Sequence, residues 1–291
     1  MSIPKDSVIT PARQARIEAA RRSARAVEPE PEQLQLDIWP ERVRALPNAM
    51  ARCALFTAAG KREPRAALQR TRLVSLADIE VMYTGEELRQ DDQDVWLQVV
   101  HMARTAALGD TVELTGHALL QALGWGRGAD RYERVRASIQ RMTEATVWIT
   151  SPGQVHGWSG RLIGEFAWRD EDGQGSATWR VKLDTKVVAL FAPVDVSWIE
   201  WEQRLKLRPL AKWLHSFYAS HREPHPYRVA TLHQLCGSRS NRLANFRNDV
   251  KKSLDELVNE GFLASWAHDP RGDTISVTRR PRVRGVLELA V

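Results

Sequence analysis

Between residues 231 and 278 the spacing of apolar positions changes period twice. Leu243, Phe246, Val250, Leu254 and Leu257 recur at steps of three and four, which places them on one face of a helix. At about 100° per residue the opposite face carries Asn241, Asn245, Asn248 and Lys252, with Arg242 and Lys251 on its flanks. Ser240 or Ser238 is a suitable N-cap for this helix, and Gly261 a suitable stop. A shorter helical stretch, TLHQLC, and a tight turn precede it, and two strand-like runs around HDPRGD follow. Helix, turn, long amphipathic helix and two strands is the pattern of a winged helix-turn-helix, whose second helix commonly enters a DNA groove. The plainer alternative is a core helix with a solvated outer face.

The same pattern recurs upstream. HALLQALGWGRGADRYERVRASIQRM reads as helix, Gly-rich turn and helix, with Tyr132, Val135, Ile139 and Met142 on one face of the second. Strand candidates follow at 145–150, 160–168 and 176–183. Leu119, Leu123 and Gly124 overlay Leu232, Cys236 and Gly237 at an offset of 113, and Val135, Ile139 and Met142 overlay Val250, Leu254 and Leu257 at 115. The rest of the chain fills in around these two units. Asn48 is placed to cap a short helix that buries Met50, Leu55 and Phe56, and residues 60–72 read as a loop. Residues 73–76 and 79–85 read as a hairpin joined by Ala77-Asp78, 91–106 as a helix, and 111–114 as a short strand. Trp198 to Leu205 reads as a helix, and a second one starts at Pro209, a favoured first helical residue, and runs to Ser220. The expectation is an α+β protein with two tandem winged-helix domains, at 41–190 and 191–280. A disordered arm at 1–40 and a tail at 281–291 flank them.

Composition sharpens this picture. A hydrophobic content of 43% and eleven Trp belong to a chain with real cores. The net charge of +6 is unevenly spread: from Arg204 to Arg282, 15 Lys and Arg stand against 7 Asp and Glu, a net of +8, leaving the remainder at −2. The basic character, and with it the expectation of an acidic partner, belongs to the C-terminal part. Two distant cysteines, Cys53 and Cys236, make no disulfide framework and fit a reducing cytoplasm. No apolar run approaches the roughly 18 residues of a membrane span, and the N-terminus has no signal-peptide core. Residues 1–32 hold hardly any large apolar side chains, so ordering them would bury too little surface.

Directly after this arm comes QLQLDIWP. Its Q-L-x-L-x-[LI] form resembles the peptides that bind bacterial sliding clamps, with Gln33 as the anchoring amide and Leu34, Leu36 and Ile38 as pocket residues. The alternative is that Leu36, Ile38 and Trp39 pack back onto the first domain.

Enzyme chemistry has no residues to stand on. There is no Walker A sequence, no Gly-x-Ser-x-Gly elbow and no His-hydrophobic-His pair, and GWGRG sits between helices instead of after a strand. His221 and His225 are four apart, but Pro224 and Pro226 break the helix that would align them for a metal. No metal or cofactor is expected.

From residue 46 to about 280 the chain resembles the TrfA family of plasmid replication initiators. LPNAMARCALF, YTGEELR, DDQDVW, ELTGHALLQALGW, VVALFA, SFYASHREPHPY and LCGSRSNRLANFRNDV carry the resemblance, in order. It implies a cytoplasmic protein that binds directly repeated origin sequences (iterons), opens adjacent AT-rich DNA, and recruits the host helicase and sliding clamp. An inactive homodimer beside an active monomer, and contact with single-stranded AT-rich DNA, belong to the same expectation.

For the second domain the candidate base readers are Asn241, Asn245 and Asn248, because an amide pairs bidentately with adenine. Arg239, Ser240, Arg242, Arg247, Lys251 and Lys252 would serve phosphates, and Arg271 would be a wing contact. In the first domain Arg127, Arg131, Arg134 and Arg141 are the candidates. A transcriptional repressor built on this fold, and a clamp-binding adaptor, are the competing functional readings.

Overall fold

The computed structural model describes residues 36, 39–60, 63–76, 79–106, 110–150, 157–169, 178–184, 187, 190–191 and 196–281. The expected arm at 1–32, Gln33, Leu34 and Ile38 of the clamp-like segment, and the tail from 282 lie outside the described residues. Strand β1 (Val43–Pro47) leads into one helical turn, α1 (Asn48–Ala51), and the short strand β2 (Phe56–Thr57). Met50, Leu55 and Phe56 are all buried, but only Met50 lies on the helix, which ends at Ala51; Leu55 follows in a turn and Phe56 belongs to β2. Asn48 does not cap the turn. Pro47 holds that place, and Asn48 Oδ1 accepts a hydrogen bond from Ser197 at 2.7 Å.

β3 (Ala67–Leu73) and β4 (Glu80–Glu86) pair as an antiparallel hairpin, so much of the expected loop over 60–72 is strand. β3 is the edge of its sheet and shows Gln69, Arg70 and Arg72 to solvent, which removes the apolar alternation that marks a strand. β5 (Leu88–Arg89) lies parallel to β2, and α2 (Gln90–Ala103) follows with Val95, Trp96, Val99 and Val100 in the core. Its start is fixed by Asp92, whose carboxylate accepts the Arg89 backbone N–H at 2.8 Å.

Next come β6 (Thr111–Thr115), α3 (Gly116–Ala122) and α4 (Ala129–Glu144). β7 (Thr146–Thr150), β8 (Gly157–Gly160), β9 (Glu165–Arg169) and β10 (Thr178–Lys182) do not form one continuous wing, as the strand candidates suggested. β7 and β8 extend the β3–β4 hairpin into a four-stranded sheet, β3-β4-β7-β8, while β9 and β10 return to β6 in the order β6-β10-β9.

β11 (Val196–Glu200) pairs with β1, which corrects the helix expected from Trp198. Ser197 and Ile199 alternate with half-buried neighbours there, a period of two that overrides helical propensity. Helices α5 (Trp201–Lys206) and α6 (Pro209–Ala219) follow, the latter with Pro209 in its first turn and Trp213, Leu214 and Phe217 buried. The chain ends its described course in β12 (Tyr227–Arg228), α7 (Val229–Leu235), α8 (Leu243–Asn259), β13 (Leu263–Asp269) and β14 (Thr274–Arg279). The last sheet has the order β12-β14-β13.

The two halves therefore share one plan. A helix (α2 or α6) precedes a short strand, a helix–turn–helix, and a hairpin whose second strand pairs back to the short strand. The overlaid positions agree in burial: Leu119, Leu123, Val135, Ile139 and Met142, and Leu232, Cys236, Val250, Leu254 and Leu257, are each at most 2% exposed. Gly124 and Gly237, aligned at the turns, have φ of 64° and 63°. That left-handed conformation favours glycine. Gly237 is doubly constrained, because a Cβ there would meet Thr57 Cγ2 at 2.7 Å.

One apolar cluster gathers buried residues from Leu36 to Trp201 together with Ala219, and a second the others from Leu207 to Val277. The halves are joined by polar contacts with almost no solvent. Arg204 is 0% exposed and donates to Asp94 at 2.7 Å, Gln93 at 2.9 Å and Gln90 at 3.1 Å on α2, and to Ser216 on α6 at 2.9 Å. Ala58 N–H donates to Cys236 O at 2.8 Å, docking the turn before α8 on the first half.

Candidate nucleic-acid interface

Helix α8 begins at Leu243, not at Asn241, and Arg242 occupies its N-cap without a side-chain cap bond. The serines expected to cap it build the turn instead. Ser240 N–H donates to Ser238 Oγ at 3.3 Å, Ser240 Oγ donates to Arg242 O at 3.2 Å, and Ser240 O lies 3.0 Å from His233 Nε2. The first turn of α8 thus meets solvent with its N–H groups uncapped by side chains, at the positive end of the helix. Such an end accepts a phosphate oxygen.

Phe246, Val250, Leu254 and Leu257 anchor α8 from below, each at most 2% exposed. Asn241, Arg242, Asn245, Asn248 and Lys252 are exposed on the other side and Lys251 is half-buried. None of these six side chains forms a hydrogen bond or ion pair within the described residues. Leu243 departs from the expected stripe. It is 36% exposed, because as the first helical residue it lies beyond the packed part of the face.

Two predicted phosphate contacts hold the scaffold instead. Arg247 makes a two-pronged bond to Asp273 in the β13–β14 turn, at 2.7 and 2.8 Å, and His268 Nε2 lies 2.8 Å from the same carboxylate. The Arg247 bonds hold the Asp273 carboxyl down at about 2, against a smaller upward push from burial. Arg247 thereby locks the hairpin to α8, and Arg271 at the hairpin tip is exposed, its side chain without a partner among the described residues. Arg239 reaches into the first half, donating to Glu87 at 2.5 Å and to Pro64 O at 2.8 Å.

The first half treats its arginines differently. Arg127 is exposed, 3.2 Å from His117, and Arg131 is exposed, 3.3 Å from Asp130. Arg134 bonds Asp91 at 2.9 Å and lies 4.0 Å over the Trp125 ring. Arg141 bonds Asp92 at 2.7 Å, and Arg65 and Ser138 bond the same carboxylate at 2.6 and 2.7 Å. Burial pushes the Asp91 carboxyl up, but the Arg134 bond and the charges of Arg65, Arg134 and Arg141 outweigh it and hold it below the usual range. Arg134 and Arg141 are thus neutralised inside the fold, and no sequence spacing signals it, since Asp91 and Asp92 lie far upstream.

Leu36 is 3% exposed and Trp39 4%, both inside the first cluster. Trp39 Nε1 donates to His101 Nδ1 at 2.9 Å. For these two residues the structure shows the packed-back arrangement. The thiols of Cys53 and Cys236 are buried and pushed up to about 12 by that burial, so neither is poised as a nucleophile.

Fold and surface together define a mixed α/β protein with two like helix–turn–helix units, one of which presents a continuous amide and cation face. Solved structures share that fold. The crystal structure of RctB domains 2-3 superposes with a TM-score of 0.53 over 77% of this chain and 95% of its own, at 13% identity. Selenomethionine derivatives of domain 2 and domain 3 of RctB give 0.55 over 80% and 98%, also at 13%. The family model described as TrfA protein matches residues 17–274. The plasmid replication initiator protein TrfA of Escherichia coli is 34% identical over 234 residues, 79% of this chain. The chain belongs to the TrfA family, and it spans 61% of the length of that relative.

Proposed function

We propose that the chain initiates plasmid replication by binding directly repeated duplex sequences at an origin through two winged-helix domains. The observation that carries this is the face of Asn241, Asn245, Asn248 and Lys252, without partners among the described residues, above a helix start with no side-chain cap. Helix α8 enters the major groove, where the three asparagines face base edges and Arg242, Lys251 and Lys252 face phosphates. Arg271 follows the backbone from the hairpin tip. Arg127, just before α4, and Arg131, in its first turn, are exposed cations of the first half. Because Arg204 and the Ala58–Cys236 bond hold the halves together, both engage one repeat as a unit.

Opening of adjacent AT-rich DNA and recruitment of a replicative helicase complete the reading. Recruitment of the sliding clamp through residues 33–38 requires Leu36 to leave the core, so it belongs to a rearranged state. A clamp pull-down with Leu36→Ala and Ile38→Ala checks this, and undiminished capture removes the clamp from the proposal. The central test is a footprint on the plasmid's own origin combined with permanganate probing of the AT-rich tract. Protected direct repeats with reactive thymines beside them are expected. Protection without reactive thymines would leave a repressor, and no protection would end the reading.

A further inference from the structure

A groove of about 1080 Å³ lies where the two halves meet, lined by β11, by residues 219–224 after α6, and by residues 277–281 at the end of β14. Gly261, just past the last turn of α8, also lines it. α8 has 17 residues, so at 1.5 Å per residue the groove lies about 25 Å from the start of that helix. Its lining is basic: Arg42, Arg52, Arg222, Arg279 and Arg280 stand against Glu200 and Glu223. Arg52 donates to Ser220 O and, at 3.1 Å, to Ser220 Oγ, and Arg279 donates to Ala219 O at 3.3 Å and Arg222 O at 2.9 Å. Arg42, Arg222 and Arg280 are exposed, and their side chains have no hydrogen-bond or ion-pair partner among the described residues. Half-buried Trp198 and Phe262 add apolar surface between the charges.

The same groove holds a strand edge. β12 covers only Thr274 and Ile275 of β14. Pro224 and Pro226 stand just before β12, and proline has no N–H with which to continue a ladder. Main-chain groups of successive strand residues point to alternate sides. Asp273 O accepts the Val229 N–H at 2.8 Å on the β12 side, and the Arg280 N–H donates to Phe262 O at 3.1 Å on the β13 side. By that alternation Val277 and Arg279 direct their main-chain groups past the end of β12, where no described strand pairs with β14.

We infer that this groove binds an extended acidic segment of a partner protein, which adds as a strand along Val277 and Arg279 and sets its carboxylates against Arg42, Arg222 and Arg280. In this mode of recognition main-chain hydrogen bonds supply affinity, and side chains of complementary charge supply selectivity. A nucleic-acid backbone would meet the arginines but has no peptide groups to pair with a strand edge. The distance from the start of α8 lets the partner and a duplex be held together, so the groove is a second site and not an extension of the reading face.

The test is a fluorescence-anisotropy titration of the full chain with a labelled peptide of alternating Glu and Val. A peptide of alternating Lys and Val, and the Glu-Val peptide N-methylated at alternate residues, serve as controls for charge and for main-chain pairing. The Glu-Val peptide is expected to bind, and both controls to bind at least about tenfold more weakly. Arg42→Glu combined with Arg280→Glu should weaken the Glu-Val peptide about tenfold, with thermal midpoint and duplex affinity unchanged. Arg42→Lys combined with Arg280→Lys should keep most of the binding, which separates lost charge from lost folding. No binding of the Glu-Val peptide by wild-type protein overturns the proposal, as does wild-type affinity in the charge-reversed variant. Equal binding of the N-methylated peptide would leave charge attraction without strand addition, and also overturns it. Displacement of the peptide by oligothymidylate would make the groove a nucleic-acid site, and a parallel loss of duplex affinity would merge it with the reading face; either result overturns the proposal.

Discussion

Helix α4 carries Arg131, Arg134 and Arg141, and helix α8 carries Arg247, Lys251 and Lys252, on units of the same plan. In the first, the two inner arginines meet Asp91 and Asp92 from α2 at 2.9 and 2.7 Å. In the second, one arginine is given to the Asp273 hairpin lock, and the outward amides and lysines have no hydrogen-bond or ion-pair partner among the described residues. The difference lies in what precedes each helix–turn–helix. The first turn of α2 offers two carboxylates to its neighbour, whereas the first turn of α6 holds none. A basic helix in sequence is therefore not yet a basic surface, because the leading helix decides how much charge reaches solvent.

The largest effect should come from the joint on which the comparison depends. Arg204→Ala leaves Asp94, with a side chain 2% exposed, with Lys212 as its remaining ion-pair partner among the described residues. Removing one partner of such a buried pair costs about 3–5 kcal/mol. Chemical denaturation should show the whole chain destabilised by that order. A change under about 1 kcal/mol would mean that the halves do not depend on this joint.

Arg141→Ala tests the first half's use of its charge. Asp92 is 0% exposed and keeps Arg65 and Ser138, so the expected loss is about 2 kcal/mol of stability, with little change in duplex affinity. Lost duplex affinity at unchanged stability would reverse the assignment and return Arg141 to the DNA. Asn245→Ala is the converse experiment. Its side chain is exposed and has no partner among the described residues, so stability should hold within about 0.5 kcal/mol. Preference for the repeat over mutated duplex should fall by about 1–3 kcal/mol, with non-specific binding retained. Unchanged discrimination in a competition titration would remove Asn245 as a reader.

Much of this contrast was legible in the chain, and the illegible part has a common cause. The stripe from Phe246 to Leu257, the Pro209 helix start and the aligned Gly124 and Gly237 turns are local signals, and periodicity or backbone conformation carries them. The strand at 67–73 and the strand at 196–200 exist because of β4 and β1, which pair with them from elsewhere in the chain. The fate of Arg134, Arg141 and Arg239 was hidden in the same way. Each is decided by a carboxylate on another element, and a helical wheel drawn from one segment holds no information about it. Leu243 failed for a different reason: a wheel has no ends, and a real helix does.

Lys252 gives the smallest effect and the finest discrimination between the two halves. It lies on the outer face of α8, exposed and without an ion pair among the described residues, so its ammonium is available to a phosphate. Arg131 is also exposed, on α4, but sits 3.3 Å from Asp130. A phosphate contact releases counterions, so Lys252→Ala should flatten the plot of log affinity against log salt by about one unit, uniformly for matched and mutated duplex. Arg131→Ala should flatten it less, because Asp130 already neutralises part of that charge. Equal slopes for the two variants would show that the first half's exposed arginines reach DNA as fully as the second half's lysines, and the asymmetry would then be confined to Arg134 and Arg141.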